Sequence, residues 1–424
     1  MKLIYNSVLE IVNKTITGKT ANNKALHFCA YLTNETIKCI NKDESANTLH
    51  SYSRDKFRKV YGGNYKKEFL DTLIEIGVVV KNSKYSNNKT LTKDNKTFCQ
   101  SYAITDTHQT KAVTVEIKDN KLSSEHVKYI QRMYKKMNRD NILREMLKNL
   151  RKIEFPAFEN GIDPLYDELK ESNTCDKTTN HKWLSYVEPY TRFMSDEIFI
   201  SRDITGRAHS PYTRLVKRLR GEATINGERL AELDITASIP QALAVWLKRN
   251  DFDDNEEMLK FETDLSNDIY TVIINEHMQD VDKEGQSDKD FRSVIKKELL
   301  TFINHKNNTG FTQSHVKGDV KFYSVHKYFK LRYPSIYEFV KEYKATATSI
   351  DPDNGYKVVG YALMEIEAEV MIDIMVMDCK GLDIPLITLH DALYVPISHV
   401  HKIKHQLEFR LKQAGWVGLI GVEY

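Results

Sequence analysis

The chain has 424 residues, 41% hydrophobic and 29% charged, which is enough apolar mass for about two to four domains with real cores. Its 62 basic and 59 acidic residues leave a net charge of +3, so a polyanion site must come from local segregation of charge and not from a cationic coat. Five scattered cysteines without a C-x-x-C argue against a disulfide framework or a zinc site, the polar-interrupted start is unlike a signal peptide, and no apolar run reaches the roughly 18 residues of a membrane span. The expectation is a soluble, cytoplasmic protein with no membrane partner.

From about Ala25 to Thr105 the pattern predicts three helices and a strand pair. "KEFLDTLIEIGVVV" puts Phe69, Leu70, Leu73 and Ile74 on one helical face, then passes through Gly77 to a strand at Val78 to Val80. A polar turn rich in Asn and Lys leads to the return strand. Helices followed by such a hairpin resemble a winged helix, here residues 1–118. Lys66 and Lys67, with the basic residues before them and the lysines of the wing, are candidate DNA contacts. The plainer alternative is a small α+β module that binds a protein or only packs.

"SSEHVKYIQRMYKKMNRDNILREMLKNLRKIEF" follows as a basic amphipathic helix with a break near Asn138. Lys135 and Lys136 lie on its polar side, which either tracks a phosphate backbone or is simply solvated.

Three segments bear chemistry. "ERLAELDITASIPQALAVW" is a strand running into a helix, with Asp234 at the strand end. Losing the water around a lone carboxylate there costs several kcal/mol unless something compensates it, although an Asp that caps a helix is common. "DKDFRSVIKKELLTF" is a helix on which Arg292 and Lys296 share a face, suited to gripping a triphosphate if they are more than surface charge. "LDIPLITLHDALYVPI" reads as two apolar strands, Leu386 to Leu389 and Leu393 to Ile397, folded about His390, Asp391 and Ala392. If Asp234 and Asp391 meet about 4 Å apart, they repel by roughly 4 kcal/mol at an effective dielectric of about 20, which calls for a divalent cation. All-oxygen ligation with positions left open for phosphates suits magnesium.

Taken together, an acid at a strand end, a cationic helix and His-Asp on a hairpin resemble motifs A, B and C of the family A DNA polymerases and the related phage-type single-subunit RNA polymerases. The resemblance covers about Thr205 to Pro396, and "TGRAHSPYTRLVKRLR" upstream is similar to the Thr-Gly-Arg motif of the DNA polymerases. Motif A is closer to the RNA polymerase form, with Thr236, Ser238 and Gln241. Asn304 stands where the sugar-selecting aromatic is usual, Ile239 where DNA polymerases carry a Glu, and Ala392 where they carry another.

The resemblance implies an α+β right hand. Its antiparallel-sheet palm would be residues 201–250 and 358–424, its helical fingers 251–357 and its thumb-like helices 119–200. It also implies two magnesium ions on Asp234 and Asp391, with manganese as an alternative. Lys296 would be the catalytic cation. Arg292, Lys296, Asn304, Ile239 and Gln241 would line the nucleotide, while Arg207 and His390 would touch nucleic acid. The partners would be a DNA template and primer, nucleoside triphosphates and a replication protein on a small replicon or mobile element. The leading expectation is a compact DNA polymerase or primase-polymerase. An RNA polymerase or RNA primase is the alternative, and a non-catalytic DNA-binding replication initiator is an alternative of another class. Two weaker candidates are a His401/His405 pair one helical turn apart, and Glu365 or Glu369 approaching the metals from the helix before motif C.

Overall fold

The computed structural model describes residues 2–40, 50–51, 54–81, 101–117, 120–173, 175–277, 288–305, 325–418 and 420–424. In chain order it begins with β1 (Lys2–Tyr5), α1 (Asn6–Thr15), α2 (Lys19–Ile40), β2 (His50–Ser51) and α3 (Arg54–Tyr61). A π-helical turn (Lys66–Leu70) runs into α4 (Asp71–Glu75), followed by β3 (Val79–Lys81), β4 (Ser101–Ile104) and β5 (Ala112–Val115). Next come α5 (Asn120–Met137), α6 (Asn141–Leu150), β6 (Ile153–Glu154), α7 (Asp163–Glu171), α8 (Asp176–Met194), β7 (Ser201–Arg202), β8 (Ala208–His209), α9 (Pro211–Arg214) and α10 (Lys217–Arg220). Then follow β9 (Thr224–Ile225), β10 (Glu228–Ile235), α11 (Ser238–Arg249), α12 (Asn255–Ser266), α13 (Ile269–His277), α14 (Asp288–Asn304), α15 (Val325–Arg332) and α16 (Pro334–Ile350). The chain closes with α17 (Val358–Ala368), a second π-helical turn (Glu369–Ile374), α18 (Met375–Gly381), β11 (Ile387–Leu389), β12 (Ala392–Pro396), α19 (Val400–Gln413) and β13 (Ile420–Glu423). It is a mixed α+β protein with small antiparallel sheets. Among the described residues no helix is long and apolar enough to cross a membrane.

The chain forms two compact units. The first contains Met1–Arg139, Phe155–Phe199 and Arg214–Glu222; the second contains Asp140–Glu154, Ile200–Thr213 and Ala223–Tyr424. The stretch 119–200, expected as one thumb-like region, is therefore divided. α6 goes with the second unit because it buries Leu143, Met146, Leu147 and Leu150, and its Asn149 amide donates to the Leu386 carbonyl at 3.3 Å. The break falls where Asp140 caps α6 by accepting from the amides of Ile142 and Leu143.

In the first unit, β2, β4 and β3 form an antiparallel sheet against an aromatic core. Phe57 sits between Phe28, Tyr65 and Tyr102, with ring centroids 5.0, 4.6 and 5.5 Å away. Tilted, stacked and edge-on pairs of this kind contribute about 0.5–1.5 kcal/mol each beyond their buried area. The lysines expected on the wing lie outside the described residues. Trp183 of α8 is buried and donates to the Ala112 carbonyl of β5 at 2.8 Å.

In the second unit the sheet order is β11-β12-β10-β9-β6, with β13 also paired to β10. β10 is thus the central strand, and α11, which follows it, packs most extensively on α17. The aromatic-rich stretch "YFKLRYPSIYEFVKEY", whose pattern reads as one amphipathic helix of the fingers, is two, α15 and α16. Pro334 opens α16, and a residue before proline is kept out of the helical region, as Tyr333 is at φ −131° and ψ 65°.

Candidate active site

Strand alternation places the first acid. Ala231, Leu233 and Ile235 point inward and are at most 1% exposed, so Glu232 and Asp234 project from the other, open face of β10. Asp234 pairs in register with Ala392 of β12 and Gly421 of β13. After Ile235 the chain turns through Ala237, whose φ of 54° is left-handed, and enters α11 without a side-chain cap. Helix capping therefore does not account for Asp234.

The second acid arrives on the β11–β12 hairpin. Leu389 pairs with Ala392, leaving His390 and Asp391 as a two-residue turn. His390 adopts φ 54°, a conformation costly for most side chains and often found at functional positions. The Asp391 carbonyl accepts from the Ile235 amide at 3.1 Å, which seats the turn beside the end of β10.

The electrostatics follow from this pairing. Loss of surrounding water, then the Asp391 charge, then Glu232, push the Asp234 carboxyl up to about 7; Lys296 opposes the shift and Glu367 adds to it. Asp234 still reaches solvent, so the acids gather at an open face and not in a sealed core. Among the described residues no group of three or more His, Cys, Asp or Glu side chains forms a ready metal cage. The site offers a crowded acid pair.

Glu367, and neither Glu365 nor Glu369, is the helix carboxylate that joins them. Glu365 is exposed and Glu369 pairs with Arg249 at 2.8 Å. Glu367 is 1% exposed; one of its oxygens accepts from Arg207 Nε at 2.9 Å and Nη2 at 2.6 Å, and the other from Ser238 Oγ at 2.7 Å. Burial raises its pKa, with Asp391 adding to the shift and Arg207 and Ser238 opposing it. On a helix Glu367 shares a face with Leu363 and Val370, and an acid on an apolar face needs a partner. That was its signal in the sequence.

Arg207, expected to contact nucleic acid, is thus committed to Glu367. Its loop is held tightly. Asp203 accepts from the Thr205 amide at 2.8 Å, the Thr205 hydroxyl at 2.7 Å and His209 Nε2 at 2.9 Å. Partial burial alone would raise the Asp203 pKa, but these bonds outweigh it and hold the carboxyl at about 2. Gly206 is required here, with φ 79° and space for a Cβ only 3.1 Å from Arg202. Arg202 itself forms a forked pair with Asp373 of the second π turn, at 2.6 and 3.0 Å. His390 lies 5.9 Å from the His209 ring, and its Nδ1 is buried with no hydrogen-bond partner among the described residues. Burial lowers its pKa, helped by Arg207 and His209.

On α14, Lys296 is exposed and its charge bears on Asp234. Arg292, one turn earlier, pairs with Asp268 and lies 4.9 Å over the Tyr270 ring. The other end of α14 is fixed by Lys344, 1% exposed, which donates to the carbonyls of Phe302 at 2.8 Å and His305 at 2.5 Å. Asn304 bonds back to the Leu300 carbonyl and sits directly over Gly360, where a Cβ would fall 1.9 Å from its Oδ1. Gln241 is 1% exposed, bonded to the Thr236 carbonyl at 2.6 Å and pressed on Gly418, while Ile239 is half-buried at the start of α11. Asp234, Asp391, Lys296 and His390 are brought together, and Arg207, held by Glu367, bears on His390; Asn304 and Gln241 are engaged in packing. Lys66 and Lys67, and Lys135 and Lys136 at the end of α5, are exposed on the first unit. His401 and His405 are exposed on α19.

No protein-family model matches the sequence, and no curated protein does. Among solved structures the chain is similar to the POL domain of Pol1 from M. smegmatis in complex with DNA primer-template and dNTP. The TM-score is 0.35 with 12% identity over 63% of this chain, and the match spans 56% of the length of that polymerase chain.

Proposed function

We propose that this chain is a DNA-templated nucleotidyltransferase, a compact DNA polymerase of the family A type that is also suited to starting its own strands. The observation that supports the reading most is the strand pairing that carries Asp234 and Asp391 to one open face, with the Lys296 charge bearing on it. A carboxyl pushed up to about 7, by loss of surrounding water first and by the neighbouring acids second, fits a divalent cation: the donors are carboxylate oxygens whose crowding a bound cation would offset. Asp234 and Asp391 would hold magnesium, or manganese, which when bound lowers the pKa of the primer 3′-hydroxyl and neutralises the leaving pyrophosphate.

The remaining roles belong to side chains. Lys296 attracts the triphosphate and gives a proton to the departing pyrophosphate. Arg292 adds a second cation on the same helix. His390, with one ring nitrogen that has no hydrogen-bond partner among the described residues, meets the primer terminus, and Arg207 presents its charge there from its anchor on Glu367. Lys66, Lys67, Lys135 and Lys136 contribute sequence-independent contacts to DNA phosphates, with the helices and three-stranded sheet of the first unit acting as a winged helix. Sheet and hairpin would be the palm, α12 to α16 the fingers, and the basic α5 part of a thumb.

One observation favours ribonucleotides as the second reading. Ser238 and Gln241, residues of the RNA polymerase type, are both built into the motif A turn, one on Glu367 and the other on the Thr236 carbonyl. Primer extension with magnesium and either dNTPs or NTPs decides both questions. The wild type should extend a primer with dNTPs, and Asp234→Ala and Asp391→Ala should each slow extension by about 10³-fold or more. Equal synthesis by wild type and variants overturns the assignment. DNA binding without any synthesis leaves the initiator.

A further inference from the structure

Asp268 stands in the left-handed region at φ 59°, immediately before α13. Its carboxylate is unevenly used. Oδ2 accepts from the Thr271 hydroxyl at 2.9 Å and also takes Nη1 of Arg292, whereas Oδ1 is buried with no hydrogen-bond partner among the described residues. The Arg292 guanidinium carbon lies over the Tyr270 ring, 4.9 Å from its centroid, and Tyr270 is 3% exposed. A strained backbone and a half-satisfied carboxylate are an expensive way to hold one arginine if holding it were only structural.

The position suggests the reason. An arginine has five donors in a fixed fork, and a free one near an acid pair folds onto it. Among the charges that bear on Asp234 is Lys296, one turn along the same helix; the guanidinium of Arg292 is parked on Asp268 and Tyr270. Parking keeps the acids unneutralised while keeping the cation within reach of any polyphosphate drawn to Lys296.

We infer that Asp268 is a positioning residue that competes with a bound polyphosphate for Arg292, holding the guanidinium on Tyr270 until phosphate oxygens take it over. This deepens the polymerase reading, since it rests on α14 facing the triphosphate. It predicts a gain on removing charge. Asp268→Asn frees Arg292 and should tighten the grip on polyphosphate by about tenfold, the scale of one partly exposed charged hydrogen bond. Asp268→Glu, which keeps the carboxylate, should stay near the wild type.

The test is calorimetric binding of inorganic tripolyphosphate with magnesium to the full chain, for wild type, Asp268→Asn, Asp268→Ser and Asp268→Glu, each repeated in an Arg292→Ala background. Tightening by Asn and Ser that disappears without Arg292 supports the inference, as does a parallel fall in KM for dNTP with no rise in kcat. Unchanged or weaker binding, or equal tightening without Arg292, overturns it; Asp268→Ser carries the test if Asp268→Asn does not fold. A chain that shows this binding pattern but makes no DNA keeps the latch and loses the polymerase. One that polymerises with Asp268→Asn binding like wild type loses only the latch.

Discussion

Asp264 and Asp234 belong to the same unit and are treated in opposite ways. Asp264 is 6% exposed and fully provided for: Arg332 donates through Nε at 2.7 Å and Nη2 at 2.8 Å, and the Tyr333 hydroxyl adds a third bond. The field at Asp234 combines the charges of Asp391, Glu232 and Glu367, which Lys296 opposes. A buried acid paired in its own fold holds helices together. An acid crowded by like charges is a worse structural element, and such crowding collects where a ligand is meant to supply the missing charge.

Substitutions can break that comparison. The largest effect on stability should come from Asp264→Asn, which takes from Arg332 its buried carboxylate partner and leaves it Glu276, and should cost about 3 kcal/mol in denaturant unfolding, with magnesium-dependent synthesis retained at low temperature. Loss of synthesis with unchanged stability would put Asp264 on the wrong side of the comparison. Lys296→Ala should lower kcat/KM for nucleotide by about 10²-fold without a comparable change in unfolding free energy, because it removes a cation from the chemistry and none from the core.

A smaller effect separates stability from catalysis by pH. Burial lowers the Lys344 pKa from its ordinary 10.5 to about 8. Between those values the unfolded chain holds more protons than the folded one, so unfolding free energy rises with pH across that window and is flat below it. Relative to Lys344→Met, the wild type should gain about 1–3 kcal/mol between pH 8 and 10.5, the lower end if the two carbonyls it caps favour the ammonium. A constant difference between the two proteins over that range would contradict the assignment. Smallest of all, Asp234→Asn in magnesium-free buffer should be more stable than wild type by about 1 kcal/mol, since it removes one of several crowded charges.

What could be read in the sequence tracks the strength of local contrast. Asp234 and Asp391 stood out because each is an acid at the end of an apolar strand, and β10, α11 and the hairpin lie close to where alternation and periodicity put them. Tertiary choices were harder. Three glutamates alternate at 365, 367 and 369, and only the helical face, shared with Leu363 and Val370, singles out Glu367. The assignment of α6 to the second unit depends on packing against residues more than 200 positions away, as with Asn149 and Leu386. Arg292 could be seen as a cation sharing a helix face with Lys296, but its retention by Asp268 required a turn whose left-handed residue is an Asp and carries no glycine to announce it.

Thermal melting with and without manganese tests the central claim most directly. If Asp234 and Asp391 share divalent ions, millimolar manganese should raise the melting temperature of the wild type by several degrees through binding to the folded state, and leave Asp234→Asn and Asp391→Asn unmoved. The same rise in all three proteins, or none in the wild type, would contradict it.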